Sequence, residues 1–171
     1  MAPSWFDLVF RWTHVLAGSI LVGGTFFLRY ALAPSLMSAT AEARKAHLEG
    51  WRSGWSRLVM ATSGLLLLTG LVNAVKNIID YRYPSVSYHG LVAVKLLLAL
   101  VIFWISAVLA GRSASAERFR EKLVFWLNVN VLLSILIVMV GGFMRMADRQ
   151  PKPKADSGAP AIEKTSDVQA S

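Results

Sequence analysis

Residues 5–29, WFDLVFRWTHVLAGSILVGGTFFLR, form an apolar run long enough to cross a bilayer, which takes about 20 residues of helix. Its first half nonetheless carries Asp7, Arg11 and His14. Positions 7, 11, 14 and 18 follow one helix face, so three ionisable groups and Gly18 share a side. Ionisable groups inside a span are costly and usually face a bundle interior or an aqueous cavity. A chain organised around this segment is expected to be a membrane bundle with a polar interior near His14.

Three more apolar runs complete the pattern. With 55% hydrophobic residues and a mean hydropathy of +0.50, the 171-residue chain is too apolar for an ordinary water-soluble domain. Spans are expected at about 5–29, 58–79, 89–111 and 123–144, giving an all-α, integral membrane four-helix bundle over residues 1–146. The remaining residues, 147–171, lose periodicity, contain PKPK and balanced charges, and read as a disordered tail. The first span lacks a basic leader and exceeds the apolar core of a signal peptide, so it reads as a retained helix.

The absence of cysteine excludes disulfides and thiolate-held metal sites within the chain. The net charge of +8 sits beside apolar runs, where it orients helices and meets lipid headgroups rather than nucleic acid. Helix one is expected to end before Pro34. Residues 38–57 form a charged connector in which Leu48, Trp51 and Trp55 share a face, the pattern of an interfacial amphipathic helix. Thr62, Thr69, Asn73 and Lys76 form a polar stripe on helix two that should face other helices. Residues 80–88, with Pro84 and three tyrosines, read as an interfacial turn, and 112–122 as a short basic loop. Helix four carries Asn130, Ser134, Gly141 and Arg145 on one side and Asn128 on another.

Four spans put both termini on one side. Nine Lys/Arg lie on the loop side and seven near the spans on the terminal side, which leans towards cytoplasmic loops. Helices one and three then run in the same direction. His14 lies nine residues into its span, roughly 13 Å, and Lys95 six residues into its own, roughly 9 Å, at 1.5 Å per residue. An unpaired lysine at such depth costs about 2.5–3.5 kcal/mol on insertion scales, so an anionic or strongly hydrogen-bonding partner is expected. For His14 three roles stay open: a neutral bridge between helices, an axial ligand to haem iron, or a proton relay. Arg11 either snorkels to the interface or pairs with an acid.

Taken together, His14, the Gly23-Gly24 pair and FFLR (26–29) resemble helix one of a bacterial superfamily of four-helix membrane proteins. It includes the HemJ-type protoporphyrinogen oxidases and the membrane domain of CopD-type copper resistance proteins. LLLLTGLVNAV (65–75) and HGLVAVKLLLAL (89–100) resemble its second and third helices. Leu21 and Leu28 stand where the family carries tryptophan and proline, and Asn128-Val129-Asn130-Val131 replaces its asparagine-glutamate-x-proline pattern. The resemblance implies a multi-pass protein of the bacterial inner membrane that binds haem b and oxidises protoporphyrinogen, with quinone as electron acceptor. His14 would ligate the iron and act with Lys95 as the catalytic pair. Lys95, Arg11 and Arg29 would hold the tetrapyrrole, whose propionates account for basic residues at the site. Copper handling and a non-catalytic membrane subunit are the alternatives, and a homo-oligomer is compatible with each.

Overall fold

The computed structural model describes residues 5–84, 86–111 and 113–152. The chain enters as α1 (Trp5–Phe27), passes through a wide π-turn (Leu28–Leu32), and continues as α2 (Ala33–Ser38). A single long helix, α3 (Ala41–Asp80), leads to the two-residue strand β1 (Tyr81–Arg82). Then come α4 (Tyr88–Ala110), the short α5 (Ala114–Glu121), α6 (Leu123–Met146) and β2 (Gln150–Pro151). Four helical stretches are long and apolar enough to cross a membrane: 5–38, α3, α4 and α6. The protein is an all-α four-helix bundle of multi-pass membrane type.

Each span packs on its predecessor, α1 on α3, α3 on α4 and α4 on α6, and α1 meets α6 to close the ring. Leu21, Val59 and Ile102 from three spans form the packed centre, with Trp55, Leu66 and Phe103 against them. Outward faces are apolar as well: Leu68, Leu71, Leu97, Val138 and Met139 are exposed. A soluble monomer rarely exposes a contiguous apolar patch beyond a few hundred Å². In hydrocarbon this surface carries no penalty.

Four expectations from the sequence are corrected. Pro34 does not end helix one. The amide of Ala33 reaches back to the Leu28 carbonyl, a five-residue step that opens the helix just before the proline. Pro34 then falls in the first turn of α2, where its missing N–H is not needed. The connector at 38–57 is not a separate interfacial helix, because α3 runs unbroken for 40 residues from a Thr40 cap. That is roughly 60 Å, about twice the hydrocarbon thickness, so one end projects beyond the span. The basic loop contains α5, capped by Ser113. Finally, the chain after Ala147 pairs with the turn at 80–88: Tyr81 lies opposite Pro151 and Arg82 opposite Gln150, with Lys152 bonded to Asp80 and Ile78 carbonyls. The rest of the expected tail, 153–171, lies outside the described residues.

Gly24 leaves room for the Trp55 indole of α3, and a β-carbon there would overlap the ring. Gly24→Ala should therefore lower stability by about 1–3 kcal/mol through overpacking. Thermal unfolding in detergent checks this, and Gly24→Ala combined with Trp55→Leu should recover most of the loss.

Candidate functional site

The polar face of α1 meets the polar stripe of α3. Asp7 forms an ion pair with Lys76, and both side chains remain partly exposed. Seven residues deeper on each helix, His14 Nδ1 lies 2.8 Å from Thr69 Oγ1. A step of seven along α1 is thus answered by a step of seven back along α3, the register of antiparallel neighbours. Further in, Gly18 lies against Leu66, with a β-carbon there in ordinary contact at 3.7 Å. Gly70 is closer still, since a β-carbon would stand 3.2 Å from His14 Cε1. Small residues on both helices let the imidazole lie flush against the α3 backbone.

The hydrogen bonds of this seam select a tautomer. Thr69 has one hydroxyl proton, and it is donated to the Leu65 carbonyl at 2.5 Å. The hydroxyl oxygen therefore accepts from His14 Nδ1. In the neutral imidazole the single N–H thus belongs on Nδ1, and the lone pair on Nε2.

Lys95 comes from the other half of the bundle, on α4. It is partly buried, and its ammonium occupies the notch left by Gly141 on α6, where a β-carbon would be 3.2 Å from Nζ. It is close enough to His14 for the two charges to interact. Among the described residues Lys95 has neither a hydrogen bond nor an ion pair.

The other basic candidates lie elsewhere. Arg11 is exposed. Arg29 is 15 residues from His14, roughly 22 Å along the helix, where it donates to Asn128 Oδ1 and lies over the Tyr30 ring. The structure brings His14 and Lys95 together and leaves Arg29 in a separate contact between the π-turn and α6.

A second polar centre, not singled out in the sequence beyond Asn130 and Ser134, binds three spans. Asn130 on α6 donates through Nδ2 to Ser106 on α4 at 3.0 Å and to Thr25 on α1 at 3.4 Å. All three residues are buried. Thr25 and Ser106 were hard to find because a single hydroxyl in an apolar run carries no pattern; only the partner identifies it.

A metal ion held by protein alone needs three or four ligands. Among the described residues no three His, Cys, Asp or Glu side chains come together in such a group. A lone imidazole with a free Nε2 suits instead a metal whose other ligands arrive with it, as in haem.

The unpaired state of Lys95 has a direct consequence for stability. Its burial without a partner costs about 2.5–3.5 kcal/mol on insertion scales. Lys95→Met should therefore raise the unfolding temperature of the purified protein by several degrees. An unchanged or lower temperature would show that the ammonium is satisfied within the bundle.

Compared with known protein families, curated proteins and solved structures, the chain matches none.

Proposed function

We propose that the protein is a haem b-binding membrane redox protein in which His14 would ligate the iron and Lys95 would hold a carboxylate of the tetrapyrrole. The observation that carries this reading is the His14–Thr69–Leu65 chain of hydrogen bonds, which places the imidazole proton on Nδ1 and leaves Nε2 to donate a lone pair. Ligating histidines commonly donate their second nitrogen to an oxygen acceptor, which fixes the ring and raises its basicity. The Thr69 hydroxyl, itself bonded to the Leu65 carbonyl, is that acceptor here.

Lys95 supports the same reading from the opposite wall. A cation within a span calls for an anion, and no described carboxylate answers it. A propionate would place a negative charge there without a buried acid in the sequence. Haem b supplies one-electron chemistry when bound. The chain's residues would orient it, shield it from water and neutralise its carboxylate. Protoporphyrinogen oxidation with transfer of electrons to quinone is the reaction class we assign. The bacterial inner membrane is the location implied by the same resemblance. The bare-ion alternative, copper handling, has less support, since the donor set around His14 is a single imidazole.

The test is the absorbance spectrum of the protein purified in detergent after growth with a haem precursor. A Soret band that disappears in His14→Ala is the expected outcome, and a band unaffected by that substitution would overturn the assignment. Thr69→Val should keep the ligand yet weaken haem retention about 10- to 100-fold, the usual effect of removing a second-shell partner. Haem titration of the apoprotein measures that ratio.

A further inference from the structure

The connector half of α3 and α5 flank an open cavity of about 290 Å³ at the loop end of the bundle. Arg52, which lines it, is 17 residues from Thr69, roughly 25 Å along α3, so this chamber is remote from His14. Arg44, Lys45, Arg52 and Arg120 line it against two carboxylates, Glu49 and Glu117. None of these six side chains forms an ion pair with another described residue.

The guanidinium groups are not equivalent. Arg44 Nε donates to the Leu36 carbonyl at 2.8 Å, fixing the end of α2. Arg120 donates to the Gly111 carbonyl at 2.8 Å, capping α4. Burial and the charge of Arg52 hold Arg120 below the usual guanidinium range, with Glu117 opposing them. Arg52 has no such commitment: its Nε is buried and has no partner. The adjacent Trp51 Nε1 is likewise buried and unpartnered. Both orphan groups are donors, so the missing partner is an acceptor, and the positive surplus makes it an anion.

The cavity does not stand alone. Leu48, Arg52 and Arg120 also line an apolar crevice that continues between Leu36, Trp51, Leu109 and Leu127. Trp104, Phe119 and Trp126 stack beside this end of the bundle, the aromatic belt of a membrane interface. A basic chamber beside an apolar, aromatic-rich end of the bundle at headgroup level fits the negative head of an amphiphile whose chains lie in the bilayer.

We propose that this chamber is a specific site for an anionic phospholipid, with the phosphate held by Arg52 and the acyl chains in the surrounding bilayer. Lys45 and Arg120 complete the positive field. Arg57, exposed on α3 and bonded to the Ser53 carbonyl, is outside the chamber and serves as the control.

The experiment uses the full chain purified in dodecyl maltoside, with unfolding temperature and tryptophan fluorescence followed during titration. Dioctanoyl phosphatidylglycerol should produce a saturable rise in both, and dioctanoyl phosphatidylcholine a much weaker one. Arg52→Gln should weaken the apparent affinity about tenfold, the loss expected of one charge-assisted hydrogen bond. Arg57→Gln should leave it unchanged. Should Arg52→Gln not fold, Lys45→Gln replaces it, because Lys45 is exposed and its loss should weaken binding in the same direction. Equal responses to the two lipids, or equal losses from the chamber variant and Arg57→Gln, would overturn the site. A full response to inorganic phosphate alone would assign the chamber to a free anion and overturn the lipid reading.

Discussion

A helix crossing hydrocarbon satisfies its own backbone, so four such helices are set against one another by the few side chains that still need partners. On α1 these are Asp7 and His14; on α3 they are Lys76 and Thr69. Their matched spacing sets the α1–α3 register over two turns, and everything else at the site follows from it. Sliding α3 by one residue would turn Thr69 away from the imidazole by about 100°, at 3.6 residues per turn. The ion pair at the mouth and the neutral bond inside thus specify one alignment among many of similar apolar contact.

Asn130 does for α1, α4 and α6 what that seam does for α1 and α3. Its amide nitrogen bridges Thr25 and Ser106, so a single side chain orients two neighbouring helices. Such bonds average well under 1 kcal/mol each inside membranes, and their contribution is chiefly to register. This second fastening lies nearer the loop end than the His14–Thr69 bond, so the two hold the bundle at different depths. Even there Asn130 Oδ1 and Ser134 Oγ stay buried without a partner among the described residues, so the centre fixes register with only part of its bonding capacity.

Much of this was legible in the sequence because helical spacing is local. The stripes 7–14–18 and 62–69–76 can be read without knowing what they touch, and so can four apolar runs. The pairing of the stripes depends on where α3 begins, and that was not legible, since Pro34 carried a strong local stop signal. The π-turn at Leu28–Leu32 neutralises that signal by widening the helix ahead of the ring. Arg52 shows the same limit in reverse. Among charged neighbours it reads as one more solvated side chain, and only the approach of α5 turns it into a buried donor.

The surplus of basic residues, 18 against 10 acids, means that many cations cannot find an acid inside the chain. Position decides how each is accommodated. Arg11 and Arg57 are exposed and long enough to reach headgroups. Arg120 and Arg44 turn to helix-end carbonyls, which carry partial negative charge. Lys95 has neither route. It is seven residues from the start of α4 at Tyr88, roughly 10 Å along the axis, and its ammonium points to α6 rather than to an interface. Among the described residues no acid or carbonyl answers its charge, so of these cations it is the one whose position is costly.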